Sequence, residues 1–117
     1  MTLAPRFRRS LPVLAVILVL LACIASAASA AEPDGKAVFM AQKCNLCHSV
    51  ETQGIDRTVK TSKAKDLSNA GAEHKGDWIQ KWLKKEEMID GKKHQKTFTG
   101  SDAELAALVQ WVQSLKK

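Results

Sequence analysis

The clearest pattern in the chain is an apolar stripe near its C-terminus. Its members recur every three or four residues: Leu105, Leu108, Val109, Val112 and Leu115. That spacing is typical of the buried face of an α-helix. Ser101 and Glu104 form a Ser-x-x-Glu capping box directly in front of the stripe, and Trp111 lies beside it. The pattern predicts a helix that begins at Ser101 and extends close to the end of the chain.

Residues 36–44 predict an earlier helix. Asp34 is placed to cap its N-terminus. Its apolar side includes Val38 and Met40, and Phe39 adds an aromatic ring. We expect Met40 to lie in the core.

A further helix is predicted over residues 77–87. Trp78 and Trp82 lie four residues apart and therefore share one face of it. Asp90-Gly91 is expected to end it. Residues 50–65 are polar and show no helical period, which indicates a loop. Since no strand and no repeat is apparent, the sequence predicts one all-α domain.

The first 30 residues have a different composition. Three arginines, Arg6, Arg8 and Arg9, precede an apolar run over residues 11–24, and a run of Ala and Ser follows. This order is typical of a secretory signal peptide. The apolar run is short for a membrane-spanning helix, which needs about 20 residues. We expect cleavage near Ala30, so that the domain comprises residues 31–117 and is exported to the periplasm.

Two alternatives for the N-terminus keep the protein at a membrane. The segment could stay uncleaved, or Cys23 could be lipidated, since Leu20-Leu21-Ala22-Cys23 loosely resembles a bacterial lipobox. We expect membrane association only in these two cases. Cleavage lowers the number of Lys and Arg residues from 18 to 15 against 12 acidic residues. The mature chain is therefore only weakly basic, and no nucleic acid partner is expected.

The candidate chemistry lies at the end of the first predicted helix. Cys44-Asn45-Leu46-Cys47-His48 has the Cys-x-x-Cys-His spacing of a c-type haem attachment site. Each thiol can add across one haem vinyl group to give a thioether, and the adjacent histidine can bind the iron as its proximal ligand. Export fits this reading, because both remaining cysteines are then used by one haem c. We predict Cys44, Cys47 and His48 as the haem-binding residues.

Other sites also use this pattern. A dithiol redox pair has Cys-x-x-Cys near a βαβ unit, and no strand is apparent here. A structural zinc site needs four ligands, and His74 and His94 lie too far along the chain for finger spacing. The pattern could also arise by chance. Haem attachment is the reading that the spacing favours.

The mature chain as a whole resembles a small monohaem class I cytochrome c. The resemblance rests on the haem motif and on four further features, which are Gly35 with Phe39, Trp82-Leu83, Phe98-x-Gly100, and Leu108-x-x-Trp111. It implies an all-α fold of about three main helices wrapped round one covalently bound haem. It also implies that the first and last helices cross closely, with Gly35, Phe39 and Trp111 at the contact.

One departure from that family concerns the proximal side. Its members usually carry Gly-Pro before the leucine that corresponds to Leu67, and the proline carbonyl orients the proximal histidine. This chain has Ala64-Lys65-Asp66-Leu67 instead. We expect a backbone carbonyl near Lys65 to accept the His48 Nδ1 proton, as the neighbours of metal-binding histidines commonly do.

The other departure concerns the distal ligand. The family normally supplies a methionine shortly before the position of Phe98, and this chain has none there. His94 occupies that loop, while Met88 precedes it at the end of the predicted Trp-bearing helix. Three states follow: His94 as distal ligand, which we favour, Met88 as distal ligand, or an open site. Imidazole in place of a thioether would give a lower-potential haem.

These features predict a periplasmic electron carrier rather than an enzyme. Seven lysines fall in segments expected to border the haem, where they could attract an acidic redox partner: Lys43, Lys60, Lys63, Lys65, Lys92, Lys93 and Lys96. A haem-based sensor or small-ligand binder is an alternative and needs an open or displaceable distal position. A haem subunit of a larger oxidoreductase is another. A standalone peroxidase needs distal acid–base groups that the sequence does not supply convincingly.

Overall fold

The structure of the protein is a computed structural model that describes residues 31–117. The predicted signal peptide of residues 1–30, with Cys23, lies outside the described residues. Four α-helices lie within them: α1 (Gly35–Ala41), α2 (Ala70–Glu73), α3 (Gly76–Leu83) and α4 (Asp102–Ser114). The same part of the chain contains only two isolated β-bridges and no longer strand. The predicted all-α fold is confirmed.

Helix α1 begins where the sequence predicts, because the Asp34 carboxylate accepts a hydrogen bond from the Lys36 amide at 3.1 Å. It ends at Ala41, three residues earlier than predicted. The reason is Lys43, whose backbone is left-handed with φ +57° and breaks the helical path before the haem motif. Met40 is 44% exposed, so its expected place in the core was wrong. The buried face of α1 consists of Gly35, Val38 and Phe39, and Met40 falls just beyond it.

Helix α4 is the centre of the core. Ser101 and Glu104 form the predicted capping box, with reciprocal hydrogen bonds of 3.2 and 2.7 Å. All five residues of the predicted apolar stripe are buried: Leu105, Leu108, Val109, Val112 and Leu115. Helices α1, α2 and α3 each pack against α4. The other three helices are therefore held together by their contacts with α4.

The crossing of α1 and α4 is close because Gly35 lies at the contact. A Cβ atom added to Gly35 would overlap the Ala107 carbonyl oxygen and the Trp111 Cβ. The rings of Phe39 and Trp111 pack beside this point with centroids 5.2 Å apart. The crossing implied by Gly35, Phe39 and Trp111 is thus present in the structure.

Helix α3 ends at Leu83, and not near Glu87 as predicted. Its last turn closes as a Schellman motif, in which the Glu86 amide donates to the Lys81 carbonyl at 2.8 Å and the Lys85 amide donates to the Trp82 carbonyl at 3.1 Å. Lys85 takes the left-handed conformation that this motif requires, with φ +61°. A lysine at that position gives no sequence signal for a helix end.

Asp90-Gly91 forms a tight turn instead of ending α3. Both residues have positive φ, and Ile89 and Lys92 exchange two backbone hydrogen bonds of 2.9 Å across them. This is a two-residue hairpin turn of the kind that Asp-Gly favours. Within residues 31–117, no helix is both long and apolar enough to cross a lipid bilayer.

Candidate haem-binding site

The predicted attachment segment is a short 3-10 turn between α1 and a long loop. The turn spans Cys44–Leu46, and the amides of Cys47 and His48 both donate to the Cys44 carbonyl, at 3.2 and 2.9 Å. Cys44 is half-buried and Cys47 is exposed, and no disulfide joins them. Burial raises the pKa of the Cys44 thiol. The turn places the two thiols and His48 within one compact segment.

His48 is oriented by the chain that follows it. Its Nδ1 lies 2.7 Å from the Lys65 carbonyl oxygen, so the carbonyl expected near Lys65 is that of Lys65 itself. Burial lowers the pKa of His48, although the Lys65 carbonyl acts in the opposite direction. The neutral imidazole is the form that binds metals. With Nδ1 donating to a carbonyl, Nε2 is the nitrogen left to bind iron.

His94 faces His48 from the loop that follows α3. The two imidazole rings are nearly parallel, with 8° between their planes and 6.1 Å between their centroids. His94 Nδ1 lies 2.6 Å from the Lys96 carbonyl oxygen. Both histidines therefore donate a hydrogen bond from Nδ1 to a backbone carbonyl, which leaves Nε2 available to a metal.

The spacing of the two rings is a test of whether they fit one iron. A metal–imidazole nitrogen bond is about 2 Å long and the ring centroid lies about 1 Å behind the nitrogen, so two imidazoles on opposite sides of one metal have centroids about 6 Å apart. The observed 6.1 Å agrees with that distance. The centroid distance is compatible with one iron between the two rings.

The other candidate residues lie elsewhere. Met88 is 58% exposed, in the segment between α3 and the Asp90-Gly91 turn. His74 follows α2 and is half-buried against Trp78. Neither residue is among those that line the cleft beside the attachment segment: Gln42, Cys44, Leu83, His94, Lys96 and Phe98.

A row of aromatic rings leads from α3 to His94. Trp78 and Trp82 stack nearly parallel with centroids 5.6 Å apart, as their spacing predicts. The Trp82 ring then meets His94 edge-on at 5.5 Å. Trp82 therefore packs against the side of the imidazole and restricts its rotation. The sequence predicted that the tryptophans share a face, but gave no signal that this face leads to His94.

Nothing in the sequence predicted the polar cluster beside His48. The Asp66 carboxylate accepts hydrogen bonds from the Ser49 hydroxyl at 2.7 Å, from the Ser68 amide at 2.9 Å and from the Glu51 amide at 3.1 Å. Partial burial works against ionisation, but these bonds hold the pKa of Asp66 well below its usual range. Ser, Asp and Ser at positions 49, 66 and 68 look like ordinary loop residues, and only the fold brings them together.

Comparison with known proteins identifies the family of the chain. The family profile described as Cytochrome c matches residues 33–116, which include all four helices and both cysteines of the attachment motif. Cytochrome c-551 of Stutzerimonas stutzeri is 32% identical to the chain over 84 residues, covering 71% of this chain and 78% of that protein. No solved structure matches significantly. The chain therefore belongs to the cytochrome c family, whose fold is all-α and whose activity is haem-based electron transfer.

Proposed function

We propose that this protein is an exported single-haem electron carrier whose haem c is joined to Cys44 and Cys47 and whose iron is bound by His48 and His94. The observation that carries the proposal is the parallel pair of imidazole rings with centroids 6.1 Å apart. Haem c, when bound, supplies an iron that alternates between Fe(III) and Fe(II). The residues of the chain supply the ligands, their orientation and the surface at which partners meet.

The two histidines are prepared to bind through Nε2. The Lys65 and Lys96 carbonyls accept the Nδ1 protons, which selects one tautomer of each ring and increases its basicity. Ligands held in position before the electron arrives need little rearrangement when the iron changes charge. The arrangement therefore suits rapid electron transfer.

His94 is favoured over Met88 as the distal ligand. His94 is half-buried, faces His48 and is packed on one side by Trp82. Met88 is largely exposed, and its thioether lies on a different segment from the ring that faces His48. Two imidazole ligands give a lower potential than one imidazole and one thioether. We therefore propose a low-potential carrier.

Exposed lysines support docking to an acidic redox partner. All seven of the lysines singled out in the sequence are exposed: Lys43, Lys60, Lys63, Lys65, Lys92, Lys93 and Lys96. Exposed charges of one sign increase the rate of encounter with an oppositely charged partner, and salt screens that effect. We expect the rate of electron transfer to fall steeply as ionic strength rises. A rate that does not depend on salt would reject this docking mode.

Export is proposed from the sequence of residues 1–30. Attachment of haem to Cys-x-x-Cys-His takes place outside the cytoplasm in c-type cytochromes generally, so the signal peptide and the motif support each other. Mass spectrometry of the mature protein would give the cleavage site and the haem increment in one measurement. Cleavage near Ala30 with one added haem is expected, whereas a lipid on Cys23 would indicate membrane attachment instead.

Spectra of three proteins test the distal ligand: the wild type, His94→Ala, and Met88→Ala as the matched control. We expect the oxidised wild type to be low-spin and to lack the weak near-infrared band of sulfur-to-iron charge transfer. His94→Ala should become high-spin and bind carbon monoxide when reduced, because its distal position is open. Met88→Ala should have the spectrum of the wild type. A sulfur band that is present in the wild type and lost in Met88→Ala would refute ligation by His94.

A further inference from the structure

Two loop segments run side by side next to His48. One follows the haem motif over residues 49–51, and the other, residues 65–68, contains the carbonyl that accepts the His48 proton. The Leu67 amide donates to the Ser49 carbonyl at 2.9 Å, so the segments are joined by backbone as well as by side chains. Any residue that holds these two segments together also sets the distance between His48 and the Lys65 carbonyl.

Asp66 holds them together at both oxygens of its carboxylate. Oδ2 accepts from the Ser49 hydroxyl and from the Glu51 amide, both on the first segment. Oδ1 accepts from the Ser68 amide on the second segment, which fixes the turn in which Asp66 itself lies. The Ser68 hydroxyl completes the cluster by accepting from the Thr52 amide at 3.1 Å. The Asp66 carboxylate thus connects Ser49, which follows His48, to the segment that contains Lys65.

The cluster is buried enough to be structural. Ser68 and Ser49 are 0% and 5% exposed, although serine is usually found at the surface. Arg57 closes the other side, donating to the Ser62 carbonyl at 2.6 Å and to the Ser49 hydroxyl at 3.3 Å. Hydrogen bonds to a charged group are stronger than neutral ones, and the bonds from Ser49 and Ser68 to Asp66 are partly buried.

We infer that Asp66 is the positioning residue of the proximal ligand: its carboxylate fixes the Lys65 peptide against His48 and so maintains the hydrogen bond to His48 Nδ1. This inference rests on the proposed binding of iron by His48. The strength of that hydrogen bond sets how strongly the imidazole donates electron density to the iron, and therefore contributes to the reduction potential. Asp66 acts on the iron only through His48.

A second interaction could hold Lys65 in place, and it must be separated from the first. The Lys65 ammonium forms an ion pair with Glu73. Its side chain is 64% exposed, and exposed ion pairs contribute little to structure. The Lys65 carbonyl belongs to the backbone, which Asp66 holds through its own residue. We therefore expect the Glu73 ion pair to have no effect on His48.

The test measures how fast the His48 Nδ1 proton exchanges with water, by NMR of the reduced, haem-loaded protein. In Asp66→Asn the side chain has one acceptor oxygen, whereas the donors from Ser49, Glu51 and Ser68 use both oxygens of the carboxylate. We therefore expect the His48 Nδ1 proton to exchange at least about tenfold faster than in the wild type. Ser49→Ala keeps the charge and removes one bond, so a smaller acceleration of several-fold is expected. Asp56→Asn removes an exposed aspartate of the same loop, and Glu73→Gln removes the ion pair; both should stay within about twofold of the wild type.

The reduction potential provides a second measurement on the same proteins. It should rise in Asp66→Asn by more than in the charge-matched Asp56→Asn, and it should also rise in Ser49→Ala, where no charge changes. Unchanged proton exchange in a folded, low-spin Asp66→Asn protein would overturn the inference, as would equal acceleration in Glu73→Gln. If Asp66→Asn does not fold, Ser49→Ala decides by the same criterion. A wild type without low-spin haem would instead refute the proposed function.

Discussion

Gly35→Ala is the substitution that tests the crossing of α1 and α4 most directly. The added methyl group would overlap the Ala107 carbonyl oxygen and the Trp111 Cβ, and the Ala107 carbonyl carbon would lie only 3.0 Å away. None of these atoms can move by a change of rotamer, because two belong to the backbone and the third is fixed to it. The two helices must therefore separate.

The expected cost follows from two opposing effects. Overpacking a closely packed contact costs about 1–3 kcal/mol, and rigid overlap on two sides places Gly35→Ala at the upper end of that range. Alanine also favours helix over glycine by up to about 1 kcal/mol. We expect the free energy of unfolding to fall by about 2–3 kcal/mol. A domain with an ordinary stability of about 5–15 kcal/mol would remain folded and measurable.

Gly76→Ala is the matched control. Gly76 also begins a helix that packs on α4, but the nearest atom to its added Cβ is the side-chain oxygen of Gln113, at 2.6 Å. That side chain can rotate away, so we expect a change within about 0.5 kcal/mol. Guanidinium unfolding of the haem-loaded proteins, followed by far-UV circular dichroism, measures both variants. Equal loss of stability in the two variants, or none in Gly35→Ala, would refute the argument from rigid contacts.

Two further predictions concern single polar side chains. Ser101→Ala removes one half of the capping box and should lower the free energy of unfolding by about 1 kcal/mol. Ser101→Asp keeps a capping oxygen and should therefore retain most of the wild-type stability. Equal stability of the wild type and both variants in guanidinium would contradict this role of Ser101. The pKa of Asp66 is lowered in the folded protein, so its ionised form stabilises the fold at neutral pH, and that contribution declines as the pH falls below the unfolded-state pKa of about 4. Asp66→Asn should therefore be less stable than the wild type at pH 7 and closer to it at pH 3, and a difference that is the same at both pH values would contradict the assignment.

The starts of α1 and α4 were predicted well because their signals are local, whereas the short helix α2 was not predicted. Asp34 and Ser101 accept hydrogen bonds from amides a few residues ahead, as their positions in the sequence indicate. Helix ends were predicted less well. Lys43 and Lys85 adopt left-handed backbone at the ends of α1 and α3, a conformation that glycine usually supplies. Since lysine carries no such signal, both helices were predicted to be too long.

The sequence likewise predicted the proximal side of the site better than the distal side. Cys44, Cys47 and His48 are contiguous in sequence, so their spacing was enough to predict a haem motif. His94 lies 46 residues after His48, and only its place in a loop favoured it over Met88. The sequence could not give the distance between the His48 and His94 rings, whose centroids lie 6.1 Å apart in the fold.

By itself, the sequence determined the local features of this protein: the attachment motif, the helix caps, the apolar stripe of α4 and the membership of an all-α haem protein family. Each depends on residues that are neighbours along the chain, whose physical chemistry is the same in any fold. The tertiary structure alone decided that His94 faces His48, and that Asp66 joins the segments on either side of the Lys65 carbonyl. These contacts depend on where the long loops meet, and loop paths are set by the packing of α1, α2 and α3 on α4 rather than by any pattern within the loops.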